Sequence, residues 1–271
     1  MIVKEIQLPE YGVLEMILHS PSEELNTAYA TKRPAMIICP GGAYAFCSAR
    51  EADPPAIAFL NMGFQVFLLR YPVGETAGEG RPLFALASAI KLVREYADAW
   101  KIDPNRIAVI GFSAGGHLAA SLGVHWNDPL LAEYCNVQDG HILRPDAMIL
   151  AYPVITAGTY AHRESIETVS RGCRESNYWS LETQVDEQTP PTFLWHTMDD
   201  GCVPVENSFL FAESLHKHRV ACECHFFQSG PHGLSVATNE VASPSKNVHE
   251  WIHLCQNWLT SIFGELGLSL I

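Results

Sequence analysis

The chain has no CxxC pair, no run of basic residues and no apolar stretch approaching the ~18 residues that a membrane-spanning helix needs. Each absence narrows the function. The eight cysteines, Cys39, Cys47, Cys135, Cys173, Cys202, Cys222, Cys224 and Cys255, are scattered over 271 residues. A chain of that length does not depend on cross-links to hold its core, so free thiols are expected. The "CEC" at 222–224 lies in the alternating run "VACECHFF", which reads as a β-strand with two small apolar residues on one face and not as a metal site. Seventeen Lys and Arg against 30 Asp and Glu give a formal net charge of −13. Such a surface repels phosphate backbones and anionic lipid, so neither nucleic acid nor membrane is expected as a partner. The opening "MIVKEIQLPE" carries no apolar targeting segment and no Arg-rich amphipathic pattern, and a cytoplasmic protein is expected.

What the chain does contain is core material: 48% of its residues are hydrophobic and only 17% charged, with no repeat or low-complexity segment. A single domain over residues 1–271 accommodates this. "IVKEIQL" and "VLEMILH", separated by "PEYG", predict an N-terminal hairpin. Strands are then predicted at "AMIIC", "FQVFLL", "RIAVIG", "DAMILAY", "PTFLWHT" and "ACECHFF". Helices alternate with them: Ala52 to Met62; a stripe of Leu83, Leu86, Ile90, Val93 and Ala97; "SAGGHLAASLGVH"; "VENSFLFAESLHKH"; and a closing helix from Asn247 to Phe263. Most of the strands are apolar on both faces, the signature of a mostly parallel sheet covered by helices, so the fold class is α/β. The stretch 155–189 is long, polar and weakly periodic. A connection of that length reads either as a lid or cap over a site or as surface decoration, and both remain open.

Gly111, Ser113 and Gly115 form G-x-S-x-G between a strand and a helix. A random chain of this length shows the pattern about one time in ten, so the context must decide. In a sharp strand-to-helix turn, small flanking residues avoid collision with the neighbouring elements, and the serine stands exposed at a helix N-terminus that favours negative charge. A serine hydroxyl also needs a base, and the base an orienting acid. "FLWHTMDDGCVP" puts Asp199 and Asp200 in the loop after one later strand, and "FFQSGPHGL" puts His232 after the next. Taken singly, each is an ordinary loop residue. In the order serine, acid, histidine, all at strand C-terminal ends, they read as a catalytic set. "CPGGAY" follows the first central strand, where a glycine-rich loop can bring N–H groups to a developing oxyanion.

Together "CPGGAY", "LRYPVG", "DPNRIAVIGFSAGGHLAASLG", "TPPTFLWHTMDDGCVPVENS" and "GPHGLSV" resemble esterases of the α/β-hydrolase superfamily. Within it they resemble bacterial acetyl esterases or acetylxylan-esterase-like sugar-ester hydrolases, related to the hormone-sensitive-lipase and feruloyl-esterase-like branches. The resemblance implies Ser113 as nucleophile and His232 as general base. It places the acid three residues before Val203, at Asp200, with Asp199 as the alternative. It implies oxyanion donors at Gly42, Ala43 and Ala114. Ala43 stands where a third glycine is common, and Pro40 where the lipase branch has histidine, which fits a small acyl group. Tyr44, Phe46 and Tyr71 are expected near the site, either contacting a sugar or acyl group, with Tyr44 the leading substrate contact, or filling gaps in the rim. His117 is expected to pack or cap, and His196 to place the acid loop. The implied substrate is a small-molecule ester, an acylated sugar, cleaved without metal or cofactor. Relatives often form homodimers, but no feature of the sequence locates an interface. Rival readings are an arylformamidase, thioesterase or peptidase with the same triad, and a catalytically silent hydrolase fold.

Overall fold

The computed structural model describes residues 1–9, 12–19, 32–172 and 176–266. Its strands are β1 (Ile2–Gln7), β2 (Val13–Leu18), β3 (Arg33–Cys39), β4 (Gln65–Arg70), β5 (Ile102–Phe112), β6 (Ala147–Ala151), β7 (Thr192–Thr197) and β8 (Cys222–Phe227). They form one sheet in the order β1-β2-β4-β3-β5-β6-β7-β8. β2 runs antiparallel to both of its neighbours, giving the expected hairpin with β1, whose turn residues 10 and 11 lie outside the described residues. From β4 to β8 every pairing is parallel.

The period of two along each strand explains why the central strands are apolar throughout. Ile37, Phe67, Val109, Met148 and Leu194 belong to one core, whereas Met36, Val66, Ile110, Ile149 and Trp195 belong to a second. Helices α2 (Arg81–Glu95), α3 (Ala114–His125) and α6 (Glu206–Lys217) supply the first core. Helices α1 (Asp53–Asn61) and α8 (Trp251–Phe263) supply the second. The stripe Leu83, Leu86, Ile90 and Val93 is buried as its spacing predicts. This is the α/β-hydrolase architecture: a mostly parallel eight-stranded sheet with helices on both faces.

Some elements depart from the pattern reading. β5 begins at Ile102 and not Arg106, because Ile102 pairs with Arg33 before the register shifts; the "DPN" composition hides this. Two short helices, α4 (Pro129–Tyr134) and α5 (Arg163–Ser170), lie in stretches with too few residues to show a period. The closing helix is preceded by a separate turn, α7 (Lys246–His249), capped by the Ser245 hydroxyl accepting from the Val248 N–H. The 155–189 stretch contains α5 and two short 3-10 turns, at Ser176–Trp179 and Leu181–Thr183. Its Ile166, Val169, Trp179, Leu181 and Val185 are buried in the first core, and Arg171 C=O accepts from the Glu79 N–H at 2.7 Å.

The seven described cysteines are free, and Cys173 lies outside the described residues. Cys222, exposed, and Cys224, half-buried, sit two positions apart on the edge strand β8 and so share one of its faces, as the alternation predicts. Among the described residues no helix is long and apolar enough to cross a membrane.

Candidate active site

Ser113 occupies the turn between β5 and α3 with φ 53° and ψ −117°, a backbone conformation that costs an L-residue about 1–3 kcal/mol. The flanking glycines make it attainable. A Cβ on Gly111 would collide with the Gly115 carbonyl, and one on Gly115 would collide with the carbonyls of Cys39 and Pro40. Gly115→Ala is therefore expected to lower stability by about 3 kcal/mol, since neither backbone can yield without moving the sheet. A shift in the urea midpoint at unchanged m-value would measure it. The turn is tied down by Ser113 N–H to Ala151 C=O at 3.0 Å and by Val154 N–H to Ser113 C=O at 3.1 Å.

His232, in the loop after β8, comes to this serine: its Nε2 lies 2.8 Å from Ser113 Oγ and its Nδ1 2.7 Å from Asp200 Oδ2. Asp200, in the loop after β7, is 1% exposed at its side chain. Its Oδ1 accepts the N–H groups of Cys202 (2.8 Å) and Val203 (3.0 Å). Its Oδ2 also meets His196 Nε2 at 3.2 Å. That nitrogen faces a second acceptor, Val203 C=O, at 3.1 Å, so it carries the proton, and His196 Nδ1 accepts from the Ser208 hydroxyl. Burial alone would raise the Asp200 carboxyl. The hydrogen bonds from His196 and His232, with the charge on His232 and the Cys202 N–H, outweigh it and hold Asp200 well below the usual carboxylate range. Asp199 is turned away, accepting from the Ser229 hydroxyl at 2.6 Å and the Gly230 N–H at 2.8 Å.

Beside the serine, three consecutive residues, Gly42, Ala43 and Tyr44, have φ of 123°, 54° and 59°. The reversal closes with Ala45 N–H and Phe46 N–H donating to Gly42 C=O. Any side chain at Gly42 would strike the Phe46 carbonyl. Among the described residues no backbone acceptor meets the N–H groups of Gly42 and Ala43. Ala114 heads α3, where the N–H has no intrahelical partner.

Tyr44 and Tyr71 depart from their expected positions at the rim. Tyr44 is fully buried, and its hydroxyl donates to His117 Nδ1 at 2.9 Å. Tyr71 is 3% exposed and donates to Pro40 C=O. The tight turn drops the Tyr44 ring against His117 and Tyr71 beneath the loop, so its side chain is not among those lining the cleft beside Ser113. Burial pushes the His117 imidazole down to about 4, and its Nε2 bonds Trp179 C=O at 3.2 Å, so it packs as a neutral ring. Phe46 does stand at the surface, 59% exposed.

Ser113 and His232 open into a cleft of about 290 Å³ that also meets Gly42, Ala43, Phe46, Arg50, His162, Glu164 and Cys202. A larger surface recess, about 580 Å³, lies among Asp186–Gln188 and Lys217–Arg219 and has no nucleophile facing a base. Arg50, Glu51, His162 and Glu164 belong to no motif and surface only through folding, and Cys202, within the acid-loop motif, has no role assigned from sequence. Burial, with the charges of Asp200 and Glu164, pushes the Cys202 thiol up, so it is held as a thiol and not a nucleophilic thiolate.

The chain as a whole has counterparts among known proteins. The chain is 39% identical over 220 residues to endo-1,4-beta-xylanase B of Butyrivibrio fibrisolvens, covering 78% of this chain and 34% of that protein. It is 26% identical to the acetylxylan esterase of Xylanibacter ruminicola, over 86% of this chain and 46% of that one. The chain thus spans between a third and a half of the length of these curated relatives. A solved acetyl ester-xyloside bifunctional hydrolase from Caldicellulosiruptor lactoaceticus superposes with a TM-score of 0.80 at 37% identity, covering 94% of this chain and 90% of that one. Residues 24–215 match the BD-FAE family, and with that match and the fold the chain belongs to the BD-FAE family of α/β-hydrolase-fold proteins.

Proposed function

We propose that this chain is a serine carboxylesterase that cleaves small-acyl esters, acetyl groups on sugars or xylo-oligosaccharides in particular. The observation that carries the reading is the unbroken chain Ser113 Oγ, His232, Asp200, with contacts of 2.8 and 2.7 Å. With its proton on Nδ1, donated to Asp200, His232 presents a bare Nε2 to the Ser113 hydroxyl. As Oγ attacks the ester carbonyl, His232 takes the proton, Asp200 stabilises the resulting imidazolium, and the N–H groups of Gly42, Ala43 and Ala114 receive the oxyanion. The alcohol leaves with the proton from Nε2. Water then enters by the same route to release the acid from the acyl-enzyme.

The small-acyl preference is supported by the Ala43 methyl at the cleft and by the names of the relatives, a xylanase, an acetylxylan esterase and an acetyl ester-xyloside hydrolase. Phe46 offers an exposed ring for a sugar face, with Arg50, His162 and Glu164 as polar neighbours in the same cleft. In this reading residues 155–172 form a wall carrying His162 and Glu164, with Ile166 and Val169 anchored in the core. The test is hydrolysis of p-nitrophenyl acetate, butyrate and octanoate beside acetylated xylo-oligosaccharide. Acetate should exceed octanoate by at least about tenfold in kcat/KM, and acetate should be released from the oligosaccharide. A preference for octanoate, or no release from the sugar ester, would remove the substrate assignment.

A further inference from the structure

Glu51 is a carboxylate 3% exposed that lies beside the catalytic groups yet has no part in the relay from serine to acid. It ends a short 3-10 turn, Ala49–Glu51, just before α1. Both of its oxygens are committed. Oε2 accepts the Gly41 N–H at 2.9 Å, and Oε1 accepts the Tyr152 hydroxyl at 2.7 Å.

The first contact governs the donor loop. Gly41 N–H and Pro40 C=O are the two ends of one peptide plane; Glu51 holds the N–H, and the buried Tyr71 hydroxyl holds the C=O. The next two residues are Gly42 and Ala43. The fit leaves no slack: a Cβ on Gly41 would lie 2.7 Å from Glu51 Oε2 and 3.0 Å from Ser113 Cβ.

The second contact governs the histidine. The Tyr152 hydroxyl receives the Ser235 N–H at 2.9 Å, which obliges its own proton to point at Glu51. The Tyr152 ring stands edge-on to His232, with centroids 5.0 Å apart and planes at 71°. Ser235 is three residues beyond His232, so the loop that carries the base is fastened to the carboxylate that fastens the donor loop. Because both partners donate, the network suits the ionised form of Glu51.

We propose that Glu51 is a positioning residue for the hydrolytic reaction, joining the peptide that aims the oxyanion donors to the tyrosine that supports His232 and stabilising the imidazolium by its charge. This rests on the serine-esterase reading. Burial pushes the Glu51 carboxyl up, against the Tyr152 hydrogen bond, the charge of His232, the Gly41 N–H and the charge of Arg50. His232 in turn faces Asp200 and, across the cleft, His162. The two carboxylates therefore flank the imidazole from separate loops.

The experiment compares wild type, Glu51→Gln, Glu51→Ala and Tyr152→Phe by kcat and KM on p-nitrophenyl acetate across pH. The rate at which a fluorophosphonate labels Ser113 is measured alongside. Glu51→Gln keeps the shape, loses the charge and sets an NH₂ against one of the two donors, Gly41 N–H or the Tyr152 hydroxyl. Its kcat should fall about tenfold with KM changed by less than about threefold, and Glu51→Ala should fall about a hundredfold. The acid limb of kcat/KM for Glu51→Gln should move to lower pH, because the imidazolium loses a stabilising charge. Tyr152→Phe keeps that charge and the ring but cuts the link, so kcat should fall while the acid limb stays in place; it also serves if the Glu51 variants do not fold. Glu51→Gln matching wild type in kcat and pH profile would overturn the proposal. If wild type cleaves no ester but is labelled at Ser113, the substrate reading fails, and the labelling rates of the variants still decide the role of Glu51. If Ser113 is not labelled, the esterase reading and this proposal fall together.

Discussion

Ser113→Ala is expected to lower kcat on p-nitrophenyl acetate by about 10⁶-fold, the scale on which losing the nucleophile disables a triad whose members act as a unit. Stability should change little. Alanine adds no atom to the strained turn, and the chain already accepts alanine at φ 54° and 53° at Ala43 and Ala237. The hydroxyl it removes has its contact with His232 Nε2. The N–H groups of Gly42, Ala43 and Ala114, proposed as oxyanion donors, and the cleft remain, so KM should stay within a few-fold and a residual rate of about 10³ over water should survive. Kinetics and fluorophosphonate labelling check this together. A variant that keeps more than about a hundredth of the wild-type rate would mean that another group performs the attack; Ser48 and Cys202 also line the cleft.

Asp200→Asn should lower kcat by about 10⁴-fold at neutral pH. The loss comes from hydrogen-bond polarity. Asp200 Oδ2 lies between two imidazole nitrogens, His196 Nε2 at 3.2 Å and His232 Nδ1 at 2.7 Å. His196 Nε2 must donate, since it also faces Val203 C=O. The N–H groups of Cys202 and Val203 claim the other oxygen. An amide there has to keep its carbonyl on those backbone donors and turn its NH₂ toward the histidines. His232 then moves its proton to Nε2, facing Ser113, where it can no longer accept one. The carboxyl is depressed in the folded protein, so its contribution to stability is complete above the ordinary aspartate value of about 3.9 and is lost as pH falls through its folded value. The stability gap between wild type and Asp200→Asn should therefore be constant at neutral pH and shrink below about pH 4. Urea melts of the pair from pH 7 downward would show it. A gap that widens on acidification would mean that Asp200 is protonated in the native state. Asp199→Asn should leave kcat within about twofold, as its carboxylate serves only the exposed Ser229 and Gly230.

Much of this architecture is legible in the chain because local chemistry dictates it. A parallel strand covered on both faces must be apolar at every position, and a helix on one face must repeat at three and four. "AMIIC", "FQVFLL" and the Leu83 to Val93 stripe therefore state their own environment. The serine turn is legible for a similar reason. A backbone that passes within contact of the Gly115, Cys39 and Pro40 carbonyls admits no side chain at 111 or 115, and glycine marks both. α4 and α5 are too short to display a period, and the buried anchors of 155–189 are single residues whose partners lie far along the chain.

The order of serine, acid and histidine, the strand ends that carry them and the fold class belong to the amino-acid sequence itself, since each follows from steric and hydropathic constraints acting over a few residues. The resemblance favours Asp200 over Asp199, and the tertiary structure supplies the physical reason, since the two adjacent aspartates differ in the donors that the loops around them present. Tertiary packing likewise carried Tyr44 from the rim into the core and set Glu51 between Gly41 and Tyr152, residues 10 and 101 positions away. A buried polar group is defined by the partner that satisfies it, and that partner is supplied by the fold.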